Sequence, residues 1–126
     1  MVTQHVVDEQ GRYDGRTLRE ALPLVVAEVV AACDPAEVIV FGSVARGEEG
    51  PDSDIDLLVV FDQVDRADRR RRMREVRGAI KTFVPVDVIV ADKADLAKRD
   101  EVGSSMYWPM REGRSMYQRS GTRVAR

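Results

Sequence analysis

The chain has 126 residues, with 20 basic and 22 acidic side chains and a formal net charge of −2. This length predicts one domain over residues 1–126, and the charge balance does not favour a general nucleic-acid-binding protein. The composition, 44% hydrophobic and 33% charged, is typical of a globular protein. The single cysteine, Cys33, excludes an intrachain disulfide and a cysteine zinc site, and its apolar surroundings predict a place in the core.

The N-terminal segment lacks the basic and apolar regions of a signal peptide. No apolar run approaches the roughly 18 residues that a membrane span needs, so the expected compartment is the cytoplasm. Residues 1–15 are expected to form a loose arm or a short edge strand, with the one histidine, His5, solvated there. Residues 119–126 are expected to be a frayed tail.

A helix is predicted from Thr17, which is suited to be the N-cap, with Glu20 completing a capping box. The helix should end before Asp34-Pro35, because the residue before a proline disfavours the helical conformation. Pro23 indicates either a kink or a later start. The apolar face of this helix recurs at spacings of three and four and consists of Leu18, Leu22, Val25, Val26, Val29 and Val30.

The rest of the chain alternates between short strands and helices. Strands are predicted at 38–41, 55–61, 86–90 and 114–118, and helices at 63–83, after Asp92, and at 102–111. The link 42–54 is too polar for a crossover helix that packs on a sheet, so the first two strands are expected to be antiparallel neighbours. The predicted fold class is α+β, with a small mixed sheet flanked by helices, and not a doubly wound parallel fold.

Three aspartates lie on or beside the predicted strands. Asp54 and Asp56 differ by two positions and so point to the same side of an extended chain, and Asp87 interrupts a later valine-rich strand. If the two strands are neighbours, the three carboxylates meet at one sheet edge, where a divalent cation such as Mg²⁺ or Mn²⁺ would relieve their repulsion. The alternatives are a capped turn, supported by Pro51 and Ser53, and for Asp87 an edge-strand acid that faces water.

Gly42 and Ser43 follow the first predicted strand and precede a segment that can start a helical turn. Glycine permits close approach of a ligand, and amides at a helix start bind phosphate oxygens together with a serine hydroxyl. Arg46, one turn later, could add a cation. A phosphate-binding turn combined with carboxylates that hold Mg²⁺ is typical of phosphoryl or nucleotidyl transfer.

The stretch GSVARGEEGPDSDIDLLVVF, followed by VDVIV, resembles the DNA polymerase beta superfamily of nucleotidyltransferases. Within it, the chain is similar to the small stand-alone group called minimal nucleotidyltransferases, over about residues 20–118. The segment from Arg111 to Tyr117 is similar to the Glu-Gly-x-x-x-Tyr ending common in that group. The resemblance implies a polymerase-beta-like fold and adenylyl transfer from ATP.

The resemblance also implies a role for each matching residue. Asp54 and Asp56 would hold two Mg²⁺ ions, with Mn²⁺ as a possible substitute, and Asp87 would bind the metal nearer the acceptor and help deprotonate its hydroxyl. Gly42 and Ser43 would bind the β- and γ-phosphates of ATP. Arg46 and Ser53 are further candidates for nucleotide binding.

The group that the chain resembles includes antitoxins that silence a helical HEPN-type toxin by adding AMP to its tyrosine. A single domain fits such a protein acceptor supplied from outside the chain. The alternative is a binding-only antitoxin that neutralises its toxin by contact. A third interpretation, an RNA-modifying enzyme such as a tRNA terminal transferase, is disfavoured by the acidic balance and the small size.

Two further segments have alternative interpretations. Residues 66–77 are rich in arginine, which indicates a solvated helix face more than a nucleic-acid site, and a role in holding an acidic partner remains open. The large apolar residues Met106, Tyr107, Trp108 and Met110 are expected mostly in the core, with a partner surface as the alternative. The oligomeric state does not follow from the sequence.

Overall fold

The computed structural model describes residues 4–98 and 107–120, which form five α-helices, one 3₁₀ turn and four strands. No helix in these ranges is long and apolar enough to cross a lipid bilayer. In chain order the elements are α1 (Leu18–Cys33), β1 (Glu37–Phe41), α2 (Gly42–Arg46), β2 (Ile55–Phe61), the 3₁₀ turn (Arg66–Asp68), α3 (Arg69–Ala79), β3 (Val86–Asp92), α4 (Lys93–Leu96), α5 (Tyr107–Glu112) and β4 (Arg114–Gln118).

The four strands form one mixed sheet in the order β3-β2-β1-β4. β1 is antiparallel to both β2 and β4, as predicted for the first two strands, whereas β2 and β3 are parallel. The parallel pair needs a crossover, and α3 supplies it. The sheet and its helices confirm the predicted α+β class.

The two faces of the sheet bury different sets of side chains, because successive residues of a strand point to opposite sides. One face packs under α1 and α3, where Val29, Leu57 and Val76 are buried in the main core. The other face carries a smaller apolar cluster that includes Leu58 and Leu96. Asp56 lies two residues before Leu58 and therefore belongs to this second face.

Helix α1 begins and ends as predicted. The Thr17 hydroxyl accepts from the amide of Glu20, and the Glu20 carboxylate accepts in return from the amide of Thr17. The helix runs through the exposed Pro23 and ends at Cys33, with Asp34 in the left-handed region at φ 47°. Cys33 is only half-buried at the margin of the core, and burial raises the pKa of its thiol.

The predicted helix at 63–83 is too long at both ends, since α3 covers only Arg69–Ala79 after the 3₁₀ turn. Before it, the amide of Val64 donates to Asp92 at 3.1 Å, which holds this segment as a loop. After it, the Glu28 carboxylate of α1 accepts from the amides of Lys81 and Thr82, each at 3.1 Å. These contacts from distant residues replace further helical turns. Of the helix predicted at 102–111, residues 102–106 lie outside the described part.

The N-terminal arm is more ordered than expected. Asp14 accepts from the amide of Val6 and pairs with the His5 imidazole, both at 2.8 Å. The His5 ring stacks on Phe83 with centroids 4.6 Å apart, and Tyr13 meets the same ring edge-on at 5.7 Å. The arm therefore docks on the loop between α3 and β3, and His5 is not simply solvated.

The predicted frayed tail begins with an ordered residue. The amide of Arg119 donates to the carbonyl of Ala36 at 2.9 Å, and its guanidinium pairs with Asp62. These contacts continue the path of β4 beside β1. Residues 121–126 lie outside the described part of the chain.

Candidate active site

Asp54, Asp56 and Asp87 lie at the same edge of the sheet. Asp54 immediately precedes β2, Asp56 is the second residue of β2, and Asp87 is the second residue of β3. Asp56 and Asp87 are register partners on these parallel strands, which brings their backbones side by side. Asp56 is half-buried, whereas Asp54 and Asp87 are exposed.

The negative charges of Asp54 and Asp87 both act on the Asp56 carboxylate. The pKa of Asp56 is raised, first by burial and then by the negative charges of Asp87 and Asp54. The guanidinium of Arg46 opposes this shift, while the Glu112 carboxylate adds to it. The ionised form of Asp56 is thus disfavoured where it stands, and a cation at this edge would relieve that penalty.

The turn after β1 packs directly against Asp56. Gly42 has φ 71°, in the left-handed region, and a Cβ atom built on it would overlap the Asp56 carboxylate. Only glycine fits both the backbone conformation and the space. The adjacent Ser43 is half-buried, and within the described residues its hydroxyl makes no hydrogen bond, which leaves it available to a ligand.

Arg46 and Ser53, both candidates for nucleotide binding, are engaged within the chain. Arg46 pairs with Glu48 and with Glu112, each at 3.1 Å, so it ties α2 to the end of α5. The Ser53 hydroxyl accepts from the amide of Gly50 at 2.8 Å and closes the turn before Asp54. Arg46 would have to leave Glu48 and Glu112 in order to bind a nucleotide. Ser53 shapes the loop that carries Asp54.

Two residues near the acids were not identified from the sequence. Glu112 lies close enough to raise the pKa of Asp56, and Arg77 of α3 approaches Asp87 with 3.8 Å between Nη2 and Oδ1. The sequence placed Glu112 in the Glu-Gly-x-x-x-Tyr ending and Arg77 in a basic helix, without linking either residue to an acid. No local pattern connects either residue with a particular acid, because both contacts arise from tertiary packing.

The alternative interpretations of the acids also find support in the geometry. The turn closed by Ser53 exists, and β3 is an edge strand with Asp87 exposed on it. Neither alternative, however, requires that Asp87 stand beside Asp56 or that a glycine turn press on the Asp56 carboxylate. The interpretation as a cation and phosphate site accounts for both features, whereas the two alternatives leave them unexplained.

The donor set at this edge suits a hard divalent cation, because it consists of carboxylate oxygens without sulfur or imidazole. As the side chains stand, no three His, Cys, Asp or Glu groups among residues 4–98 and 107–120 form a closed ligand set. Asp54 and Asp87 are exposed, so their side chains have room to turn toward Asp56, Asp87 by leaving Arg77. The residues therefore suit a divalent cation in charge and donor type, although their side chains are not arranged around one. Carboxylate oxygens bind both Mg²⁺ and Mn²⁺.

Comparison with known proteins gives this edge a family context. A family model described as nucleotidyltransferase domain matches residues 24–107. A crystal structure at 1.40 Å of a Sulfolobus solfataricus protein, provisionally assigned as a nucleotidyltransferase, is similar to the chain with a TM-score of 0.58 and 27% identity, over 85% of this chain and 86% of that chain. No curated protein matches. The family model spans most of the chain and includes all three acids and the glycine turn, and the chain therefore belongs to the nucleotidyltransferase domain family.

Proposed function

We propose that the chain transfers AMP from ATP to a hydroxyl group of another molecule. The observation that carries this proposal is the contact between Gly42 and the Asp56 carboxylate, beside Asp87 on the next strand. It brings a turn suited to phosphate oxygens against the acids suited to a divalent cation. Nucleotidyl transfer requires that combination, since a triphosphate and its metal ions bind as one unit.

The residues divide between the nucleotide and the acceptor. The amides after Gly42 and the Ser43 hydroxyl bind the terminal phosphates, and Asp54 and Asp56 are the residues that would hold divalent cations. Bound divalent cations supply charge neutralisation on the oxygens that enter and leave the α-phosphorus. Asp87 orients the acceptor hydroxyl and accepts its proton. The acceptor oxygen then forms a bond to the α-phosphorus as the bond to pyrophosphate breaks.

The acceptor in this proposal is a tyrosine of a HEPN-type toxin, and the chain acts as its antitoxin. The resemblance to minimal nucleotidyltransferases supports this choice. The exposure of Asp87 on an edge strand also supports it, because a protein surface can approach that side of the site. Cytoplasmic location follows from the same proposal, since the toxin would be an intracellular RNase.

A second candidate is an antitoxin that neutralises its toxin by contact alone. One observation favours it: the acids do not form a closed metal-ligand set within the described residues. In that case ATP and the acids are dispensable for neutralisation. The two candidates therefore differ in what an acid substitution does.

The test incubates the chain with ATP labelled on the α-phosphate, Mg²⁺ or Mn²⁺, and the product of the adjacent gene as the candidate toxin. We expect label on that protein and a mass increase of one AMP, both lost in Asp54→Asn. Asp52→Asn, an exposed acid in the same loop, is the matched control and should transfer normally. Toxin neutralisation that survives Asp54→Asn without any label would refute adenylyl transfer and leave the contact-only antitoxin.

A further inference from the structure

The exposed side of α3 and its leading turn carries a row of three arginines. Arg70 and Arg74 lie one α-helical turn apart on α3, about 6 Å along its axis, and Arg66 lies in the 3₁₀ turn that leads into the helix. All three are exposed, and within residues 4–98 and 107–120 none forms a hydrogen bond or an ion pair. We call these three residues the arginine row.

The other arginines of the helix are already engaged. Arg69 pairs with Asp95 at 2.7 Å, Arg71 and Arg72 pair with Glu75, and Arg72 also lies over the Phe61 ring at 4.6 Å. Arg69 and Arg72 thereby join α3 to other elements, whereas Arg71 pairs with Asp68 and Glu75 of the same helical segment. The arginine row has no such structural role, so its charge is available to a partner.

The row leads to the acidic edge of the sheet. Arg77, one turn after Arg74, approaches Asp87 with 3.8 Å between Nη2 and Oδ1. A shallow pocket of about 250 Å³ opens at the same end of α3, between Arg77 and the apolar side chains of Ile80, Val84 and Val86. A molecule bound along the row would therefore have its end beside Asp87.

We propose that the arginine row docks an acidic surface of the acceptor protein and so delivers its hydroxyl to Asp87. The assignment of the bound molecule as an acceptor rests on the proposed function, whereas the docking surface rests on the row itself. Carboxylates four residues apart on a partner helix would meet the guanidiniums of Arg70 and Arg74 in register.

An acidic protein fits this surface better than a nucleic acid does. The chain carries a net charge of −2, and Asp65, Asp68 and Glu75 flank the row, so a continuous phosphate backbone would be repelled by its surroundings. Arginine is the basic residue almost throughout this chain, so its use on α3 does not indicate phosphate. Separate carboxylates on a folded partner can meet the row and avoid the flanking acids.

The test measures binding of a fluorescein-labelled helical peptide, with glutamates four residues apart on one face, by fluorescence anisotropy at low salt, with a single-stranded RNA as competitor. We expect Arg70→Glu/Arg74→Glu to weaken peptide binding about tenfold, the combined effect of two lost ion pairs and two new repulsions. Arg16→Glu/Lys98→Glu reverses two exposed basic residues elsewhere and should bind as the native chain does. ATP-dependent thermal shifts should be equal in all three.

Each outcome decides the proposal. Equal peptide affinity of the native chain and the row variant overturns it, and so does RNA that binds the row more tightly than the peptide. Arg70→Gln/Arg74→Gln, which removes charge without reversing it, replaces the first variant if that one does not fold. Peptide binding through the row without AMP transfer to any protein would refute the proposed function but not the docking surface. AMP transfer by the row variant at the native rate would refute the docking surface but not the proposed function.

Discussion

The Asp56 carboxylate lies so close to Gly42 that residue 42 has no room for a side chain. The turn after β1 and the second acid of β2 thus depend on each other's position. The backbone at Gly42, with φ 71°, adds a second reason for glycine. These two reasons can be separated by experiment, because other glycines of the chain show only one of them or neither.

Gly42→Ala is expected to destabilise the chain by about 2 kcal/mol or more, since it combines left-handed strain with overlap on the Asp56 carboxylate. Gly15→Ala, at φ 80° with open space around it, should cost about 1 kcal/mol from strain alone. Gly50→Ala has neither problem and should be near neutral. Chemical denaturation measures all three, and equal losses for Gly42→Ala and Gly15→Ala would contradict the overlap.

Asp56→Asn is expected to raise the thermal midpoint in EDTA at neutral pH. Burial and the charges of Asp87 and Asp54 raise the pKa of Asp56 in the folded chain, so its protonated form favours folding. This contribution is lost as pH rises from the unfolded value near 3.8 through the raised folded pKa. The advantage of the variant over the native chain should therefore grow across that window and then stay constant. An Asp56→Asn variant less stable than the native chain at pH 7 would refute this prediction.

Asp87→Asn is expected to lower AMP transfer at least about hundredfold while ATP binding persists. The amide of asparagine cannot accept the proton of the acceptor hydroxyl. ATP binding persists because the substitution removes only the carboxylate assigned to the acceptor side of the site. Thermal shift with ATP and Mg²⁺ reports nucleotide binding, and labelled ATP reports transfer. Asp62→Asn, an exposed acid just beyond β2, serves as the control, and equal transfer by both variants would exclude a catalytic role for Asp87.

Phe83→Ala is expected to release the N-terminal arm. The variant loses the ring contacts with His5 and Tyr13, worth together about 1.4 kcal/mol, so the arm should open about tenfold more often. Trypsin cleavage after Arg12 and Arg16 reports that opening. Leu24→Ala, which truncates an exposed apolar residue on α1, should leave the cleavage rate unchanged. Identical rates for native chain and Phe83→Ala would show that the rings do not hold the arm.

The elements that the sequence predicts correctly are those with local causes. Thr17 and Glu20 form the expected capping box, Asp92 caps α4, and the apolar run of β2 matches its strand. The candidate acids and the glycine turn were identified from their combination along the chain, since Gly42-Ser43 alone is a common turn and gains meaning from Asp54, Asp56 and the later strand residue Asp87.

The features that the sequence does not predict have distant causes. The end of α3 depends on Glu28, more than 50 residues earlier, which binds the amides of Lys81 and Thr82. The proximity of Glu112 to Asp56 and of Arg77 to Asp87 depends on how α5 and α3 pack on the sheet. The docking of the N-terminal arm likewise requires Phe83, far along the chain. No periodicity or spacing encodes such pairs.

The topology of the mixed sheet also determines the order in which the parts of the candidate site come together during folding. Gly42, Asp54 and Asp56 belong to one antiparallel pair of strands that are close in sequence, whereas Asp87 arrives only after the crossover through α3. Closing the shorter loop costs less chain entropy, so the half with the glycine turn is favoured to form first. Repulsion between Asp56 and Asp87 therefore opposes the docking of β3, a late step of folding, whereas the smaller repulsion between Asp56 and Asp54 already acts in the earlier hairpin.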